Sequence, residues 1–217
     1  DALVKWADTW QLNISKQKCF QMDIGNVSSL KTSVANFLDD TSLQFVRNTR
    51  DLDVCVDDKL NFDLQIKAVA TRAKQVMFLL MRSFLTKDIQ NLLMGFKSYV
   101  QPILDYCSPV WSPHLIKHIL MLESVQRIFT KRIPSLKGLI YTDRLKALKL
   151  ISLERRRLES DLVMCYKILH GLVCGPPEKF GLFLATRQSR GHSLKLITEQ
   201  PRVDVRKYFF CNRILKP

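Results

Sequence analysis

The spacing of apolar residues changes near residue 61, and this change limits the chain to a fold with two different parts. Before it, residues 19–24 and 52–57 alternate apolar and polar side chains, which is typical of short strands that end at turns. After it, residues 62–84 repeat an apolar side chain every three or four positions, which is typical of an amphipathic helix. We therefore expect an α+β fold that is mainly α, with a small antiparallel sheet followed by a helical bundle.

Further elements follow from the same two patterns. Residues 1–12 place Leu3, Trp6 and Trp10 at helical spacing, and residues 43–46 show a weaker strand pattern that would complete the sheet. The tail from Thr186 onwards favours strand or coil only weakly. After residues 62–84, helices are predicted over residues 88–100, 115–129, 142–148 and 152–170.

The ends of these helices have local causes. The helix over residues 88–100 is expected to stop at Pro102, because a proline inside a helix removes one hydrogen bond. Thr142 and Ser152 are predicted to cap the last two helices, and Gly171 is predicted to end the last one.

The segment KSYVQPILDYCSPVWSP, residues 97–113, separates two helical blocks and is the densest cluster of aromatic and proline residues. Its rings are Tyr99, Tyr106 and Trp111, and its prolines fix backbone angles. It does not have the pattern of a catalytic site. We interpret it as a rigid apolar corner against which the flanking helices pack.

The positive charge of the chain is concentrated in the helical part. The sequence has 34 Lys and Arg against 20 Asp and Glu, which gives a net charge of +14. Residues 1–60 hold seven basic and nine acidic side chains, whereas residues 61–217 hold 27 and 11. Such a field attracts polyanions, nucleic acid first and an anionic membrane second. The alternative is a solvated basic surface without a ligand.

The cysteines and the hydropathy of the chain indicate the compartment. Six cysteines, with no CxxC pair and no regular spacing, predict reduced thiols rather than a zinc site or a disulfide framework. The sequence has no run of about 18 apolar residues and no signal-peptide pattern. We expect a nuclear or cytoplasmic protein that is not secreted and that has no membrane partner. The chain starts without Met, and we expect it to be a fragment.

Two motifs are similar to metal sites but lack the surroundings that such sites need. Phe37-Leu38-Asp39-Asp40 matches the [FY]-x-D-D hairpin with which polymerases hold two metal ions. The polar segment before it alternates poorly, and little chain upstream remains for a further carboxylate on a separate strand. His114 and His118 are four residues apart, but no pair of Cys or His lies nearby, so surface histidines are expected. We predict no catalytic residue and no metal site.

Three consecutive arginines, Arg155, Arg156 and Arg157, place their guanidinium groups over almost one helical turn. Guanidinium groups bind phosphates with two parallel hydrogen bonds, so the three could hold a phosphate backbone. The alternative is that at least one of them pairs with Glu154 or Glu159, or extends from an apolar face.

Several segments, in order, resemble the C-terminal half of reverse transcriptases (RNA-directed DNA polymerases) from LINE-type retrotransposons, which lack long terminal repeats. They are VKWADTWQLNISKQKCFQMDIG, RDLDVCVDDKLNF, SYVQPILDYCSPVWSP, LESVQRIFTKRIPSLKGLIYTDRLKALKLISLERRRLESDLVMCYKILHG and RGHSLKL. The resemblance covers essentially the entire chain. It departs from the family at Ser15, Asp53 and Gln101, where the family usually has Asn, Gly and Arg. These changes indicate a decayed copy.

The resemblance implies a division of the chain into three parts. Residues 1–60 would be the end of the polymerase palm, residues 61–175 a helical thumb, and residues 176–217 a basic C-terminal extension. In this register the catalytic aspartates precede the chain, so Asp39 and Asp40 match by coincidence. The Mg²⁺ of the intact enzyme would then have no ligands here, and this chain alone would be inactive as a polymerase.

The charge and the resemblance together predict residual binding of a template–primer duplex of RNA or DNA through its phosphates. The missing N-terminal half of the polymerase would be a further partner if the native chain is longer. Two alternatives stay open: a repurposed helical module that binds protein, and a non-functional relic of a mobile element. The candidate phosphate ligands lie on predicted helix faces that the core does not use; they are Lys67, Lys74, Arg82, Arg127, Lys131, Arg132, Arg155, Arg156 and Arg157.

Overall fold

A computed structural model of the chain describes residues 2–25, 36–38, 41–84, 88–185, 194–198 and 200–215. The chain divides into two compact units, Asp1–Leu64 and Gln65–Pro217, which we call the N-terminal unit and the helical unit. The expected fold class is confirmed, because the protein is mainly helical with small antiparallel sheets and a helical bundle.

The N-terminal unit begins with helix α1 (Ala2–Thr9) and a 3₁₀ turn (Lys16–Lys18), followed by short paired strands. Strand β1 (Phe20–Gln21) pairs with β4 (Gln44–Phe45) in parallel, with Phe20 opposite Gln44. Strand β2 (Phe37–Leu38) pairs with β3 (Thr41–Ser42) as an antiparallel hairpin. Asp39 and Asp40, which come between these two strands in the sequence, lie outside the described residues.

The predicted strand over residues 19–24 is wrong in length and direction. Only Phe20 and Gln21 form strand, and their partner is parallel rather than antiparallel. Phe20 is 46% exposed and Ile24 is 55% exposed, so the alternating residues do not share one buried face. Alternating apolar residues form a stable strand only where other elements pack over them, and the sequence pattern does not show whether such packing exists.

The best-formed sheet is an antiparallel hairpin of β5 (Asn48–Asp51) and β6 (Val54–Asp57). Leu52 and Asp53 form its two-residue loop with φ angles of 43° and 68°. Tight hairpins prefer positive φ at both loop positions, and glycine or asparagine adopts such angles most easily. The predicted strand over residues 52–57 therefore begins two residues too early, and Asp53 has a backbone angle that glycine adopts more easily.

Helix α2 (Asp63–Ser83) follows, with Ile66, Ala73 and Met77 buried along one face. The prediction for residues 62–84 is confirmed. In the helical unit α2 is followed by α3 (Ile89–Gly95), α6 (Ile116–Lys131), α7 (Tyr141–Ala147) and α8 (Leu153–Leu169). The unit is held by side chains at most 1% exposed, among them Leu92, Phe96, Val100, Leu122, Val125, Phe129 and Leu153.

The helix that begins after Asp88 does not stop at Pro102. The Asp88 side chain accepts a hydrogen bond from the Asn91 backbone N–H (3.1 Å) and so caps α3. A π-helical turn (Phe96–Val100) then leads into α4 (Gln101–Asp105), and the Gln101 N–H donates to the Phe96 carbonyl. The wider turn changes the hydrogen-bond register just before the proline. The helix therefore continues where the sequence predicted an end.

The apolar corner is confirmed at its tryptophan. Trp111 ends the short helix α5 (Ser108–Trp111), is 1% exposed, and donates from Nε1 to the Tyr106 carbonyl (2.9 Å). Tyr99 is 65% exposed and Tyr106 is 50% exposed, so the two tyrosines lie at the surface of the corner. The corner thus packs through one ring rather than three.

One of the two predicted helix caps is present. Ser152 accepts from the Arg155 N–H (3.3 Å) and begins α8, and Gly171 follows its end with a φ of 67°. Thr142 caps nothing, because α7 already begins at Tyr141 after Ile140. Tyr141 is fixed by a hydrogen bond to Glu123 on α6, a long-range contact that the local sequence does not show.

The tail forms more structure than predicted. After a 3₁₀ turn (Pro177–Phe180), a single bridge pairs Leu184 with Leu196, and the short helices α9 (Asp204–Lys207) and α10 (Phe210–Arg213) follow. Phe210 and Ile214 pack into a buried cluster with Cys165 and Ile168 of α8. The tail therefore adds to the core of the helical unit.

Two further predictions concern cysteine and membrane segments. All six cysteines are free thiols, and burial raises the pKa of Cys165. In the described part of the chain, no helix is both long and apolar enough to cross a membrane.

Candidate nucleic-acid interface

Two predicted phosphate ligands, Arg82 of α2 and Arg132 at the end of α6, line the same surface cleft. The cleft has a volume of about 340 Å³, and Phe78 and Met81 also line it. The Arg132 guanidinium lies over the Phe78 ring, 4.6 Å from its centroid, which orients the cation at the edge of the cleft. We call this site the Arg82/Arg132 cleft. It joins residues that are 50 positions apart in the sequence.

Lys67 and Lys74 extend the basic surface along α2. Lys67 and Arg82 are exposed and Lys74 is half-buried, while Ile66, Ala73 and the other apolar residues face the core. With a rise of 1.5 Å per residue, Lys67, Lys74 and Arg82 are separated along the helix axis by about 10 Å and about 12 Å. Within the described ranges, none of these three cations forms an ion pair, so all three are available to an anionic ligand.

The C-terminal end of α6 adds two more predicted ligands. Lys131 is exposed and, among the residues that the structure describes, has no acidic partner. The Arg127 guanidinium lies over the Tyr141 ring, 4.9 Å from its centroid, and is also exposed. The unpaired carbonyl groups at the C-terminal end of a helix carry partial negative charge, which stabilises cations there. The C-terminal end of α6 therefore carries three cations, of which Arg132 lines the Arg82/Arg132 cleft and Arg127 lies against α7.

The three consecutive arginines of α8 have different surroundings. Arg155 pairs with Glu159 (3.2 Å) on the helix surface, and Arg156 donates from Nε to Asp105 Oδ2 (2.7 Å). Arg157 is 4% exposed, which takes it away from the surface. Burial lowers the pKa of Arg157, while the carboxylates of Glu123, Glu154, Asp105 and Asp161 act in the opposite direction. The sequence alternative of pairing with Glu159 is therefore present for Arg155.

A buried polar network fixes α7 and α8 against α6. One carboxylate oxygen of Glu123, which is 6% exposed, accepts from the Tyr141 hydroxyl, and the other accepts from the Leu153 N–H (2.9 Å) at the start of α8. Gln126 donates to the Ile151 carbonyl (2.9 Å). Burial, and then the hydrogen bond to Glu123, raise the pKa of Tyr141 far above its usual value. The network keeps the helices that present the basic residues in one arrangement.

A buried ion pair connects the tail to α8. Arg213 donates from Nε and Nη2 to the two oxygens of Asp161 (2.7 and 2.8 Å), and Asp161 is 3% exposed. Nη2 of Arg213 also donates to the Pro109 carbonyl (2.6 Å). A paired carboxylate at this depth needs its partner, because an isolated buried charge is costly.

The helical unit has a second basic cleft, which the sequence did not predict. Its lining includes Lys97 at the π-helical turn, Lys149 after α7, and Arg156 of α8, together with Gln101 and Gln126. Its volume is about 330 Å³. We call it the Lys97/Lys149 cleft. Its three cations come from three separate elements, so no spacing in the sequence indicates it.

The described residues contain no group of three or more His, Cys, Asp or Glu side chains that could hold a metal ion. His118 is 2% exposed and does not lie at the surface as predicted, because α6 turns it towards the core. His114 stacks on Tyr208 with ring centroids 4.1 Å apart, and burial lowers its pKa while Asp204 opposes the shift.

Comparisons with known proteins give one similar sequence. No family model matches the chain, and no solved structure matches it. The chain is 30% identical over 124 residues to the uncharacterized protein B0403.1 of Caenorhabditis elegans, a match that covers 56% of this chain. It spans 63% of the length of that relative, whose name states no activity. The resemblance to reverse transcriptases therefore stays a prediction.

Proposed function

We propose that the chain binds a template–primer duplex of RNA or DNA through its phosphates, as the palm end and thumb of a LINE-type reverse transcriptase. The observation that supports this most is the Arg82/Arg132 cleft, where two exposed arginines from different helices meet beside the lysines of α2. Arginine suits phosphate because its planar group donates two parallel hydrogen bonds.

The geometry of α2 fits a duplex better than a single anion. Its three cations are spaced by about 10 and 12 Å along the helix, and the two backbones of a B-form duplex lie about 12 Å apart across the major groove. Contacts of this kind position a duplex without reading its bases. The proposed binding is therefore independent of nucleotide sequence.

Binding to a fluorescently labelled primer–template duplex tests the proposal. The double variant Arg82→Gln/Arg132→Gln is expected to weaken binding by the full-length chain. It should also reduce the slope of log K against log salt concentration by about 2, because each lost phosphate contact removes about 0.9. The matched control is Lys167→Gln/Lys179→Gln, which removes the same charge from exposed sites outside both clefts. Equal losses in the two double variants would reduce the proposal to a general charge effect.

Primer extension tests the proposed absence of polymerase activity. The chain with Mg²⁺, nucleotides and an RNA template is expected to extend no primer, because the resemblance places the catalytic aspartates before its first residue. Extension that Asp39→Asn/Asp40→Asn abolishes would instead place the active site in this chain.

A second candidate function is binding of another protein. The observation that favours it is the outer surface of α8, where Leu162, Val163 and Tyr166 are 47%, 53% and 57% exposed. Apolar contacts to another protein depend weakly on salt concentration, whereas contacts to phosphates weaken steeply as the salt concentration rises. The salt dependence of binding thus separates the two functions.

A further inference from the structure

The Lys97/Lys149 cleft has more positive charge than its surroundings neutralise. Arg156 pairs with Asp105. Lys97 and Lys149 are exposed and, in the ranges that the structure describes, form no ion pair. The two amide side chains of the lining, Gln101 and Gln126, add donors and acceptors without adding negative charge. A cleft with this excess of cations attracts an anion.

The polar groups of this cleft are held in place before any ligand arrives. Asp105 fixes the Arg156 guanidinium through its Nε (2.7 Å). The Gln101 amide, turned so that its oxygen faces Arg156, accepts from the same nitrogen (2.9 Å). Gln126 is fixed by the Ile151 carbonyl (2.9 Å). Preorganised donors lose little freedom when they bind a ligand.

Lys149 stands at a backbone position that favours glycine. Its φ angle is 51°, in the left-handed region. Its N–H donates to the Lys146 carbonyl (3.1 Å), and the Leu150 N–H donates to the Leu145 carbonyl (2.9 Å), which is the pattern that ends a helix at a left-handed residue. Glycine adopts this angle at no steric cost, whereas lysine adopts it at a cost in free energy. A strained residue whose side chain lines a cleft is more common at functional sites than elsewhere.

We propose that the Lys97/Lys149 cleft binds a phosphate group through Lys97, Lys149 and Arg156. Two ammonium groups and a fixed guanidinium supply the charge, and the Gln101 side chain carries an NH₂ group that can donate to an anion. The volume of about 330 Å³ is larger than one phosphate, so a phosphate ester fits as well as the free anion. This site shares only Arg156 with the proposed duplex interface. It does not depend on duplex binding.

NMR titration of the ¹⁵N-labelled full-length chain with inorganic phosphate tests the proposal. Phosphate is expected to shift the amide signals of residues around the cleft, whereas sodium chloride at the same ionic strength does not. Lys97→Gln and Lys149→Gln should each weaken phosphate binding about tenfold, as expected for a lost hydrogen bond to a charged group. The control Lys146→Gln removes the same charge from α7 outside the cleft and should bind as the wild type does.

Lys149→Gly keeps the test valid if other variants lose stability. Glycine relieves the positive φ angle, so this variant should have an unchanged or higher Tm and weaker phosphate binding. Opposite changes in stability and affinity would show that the lysine serves a ligand. Wild-type affinity in Lys97→Gln and Lys149→Gly, or phosphate shifts equal to those of chloride, would overturn the proposal.

The source of the phosphate is identified with three probes: inorganic phosphate, a 5′-phosphorylated oligonucleotide and the same oligonucleotide with a 5′-hydroxyl. Tighter binding of the phosphorylated oligonucleotide assigns the cleft to a terminal phosphate. Equal binding of both assigns it to backbone phosphates, and binding of inorganic phosphate alone assigns it to the free anion. Loss of duplex binding in the Arg82/Arg132 variant with intact phosphate binding would separate the two proposed sites.

Discussion

Replacing Trp111 tests whether the corner at residues 97–113 holds the helical unit together. The ring is 1% exposed, and its Nε1 donates to the Tyr106 carbonyl (2.9 Å). Trp111→Ala removes the whole buried ring and leaves a cavity, which typically costs about 3–5 kcal/mol. Trp111→Phe keeps an aromatic ring but loses the hydrogen bond, which alone contributes about 1 kcal/mol. For a unit of this size, a loss of 3–5 kcal/mol corresponds to a decrease in Tm of about 6–20 °C.

Thermal and urea unfolding of the full-length chain, followed by circular dichroism, measure these changes. Tyr99→Ala is the control, because Tyr99 belongs to the same segment but is 65% exposed, and its replacement should change stability by less than about 0.5 kcal/mol. Duplex binding is measured with Trp111→Phe under conditions where the variant remains folded, and it should be unchanged. A Trp111→Ala variant as stable as the wild type would refute the structural role. Lost duplex binding at full stability would make the ring a ligand contact.

Three further predictions concern other described contacts. Arg213→Met should cost about 3–5 kcal/mol of unfolding free energy by leaving Asp161 buried and unpaired, and adding Asp161→Leu to that variant should restore most of the loss. Urea unfolding of the two single variants and the double variant measures this, and additive losses would contradict the pairing. Because the pKa of Tyr141 is raised in the folded state, its hydroxyl stabilises the fold fully below pH 10 and progressively less above it. The stability advantage over Tyr141→Phe should therefore shrink in unfolding series taken from pH 8 to pH 11, and a constant difference would contradict burial of the hydroxyl. Leu52→Asn should stabilise the hairpin of β5 and β6 by about 1 kcal/mol, because asparagine tolerates a positive φ better than leucine. Slower amide hydrogen exchange in β6 would show this, and faster exchange would contradict the loop geometry.

The helices of this chain could be predicted from the sequence because their apolar period is long and regular. Residues 62–84 repeat that period over more than five turns, and Ser152 marks the start of α8 with a cap that depends only on local chemistry. The passage of the helix through Pro102 could not be predicted. It depends on a π-helical turn stabilised by packing, such as the stacking of Phe96 on Phe129 (4.2 Å).

The basic surface could be predicted only in part, because charge is visible in a sequence and burial is not. Arg82 and Arg132 were predicted as ligands, but their common cleft depends on how α2 and α6 pack. Arg157 belongs to the same run of three arginines as Arg155, yet it is buried, since the position on α8 decides which arginine faces the core. Lys149 was missed because its left-handed backbone angle is set by the end of α7 rather than by a sequence motif.

The salt dependence of duplex binding by the unmodified chain tests the proposed function most directly. The exposed cations without acidic partners among the described residues include Lys67, Arg82, Lys131 and Arg132. Contacts from these four to phosphates predict a slope of log K against log salt concentration of about −4 or steeper, because each contact to a B-form duplex contributes about −0.9. A labelled duplex titrated at several salt concentrations measures the slope. A slope near −4 or steeper is the predicted result, and a slope near zero, or no binding at low salt, would contradict phosphate binding by the helical unit.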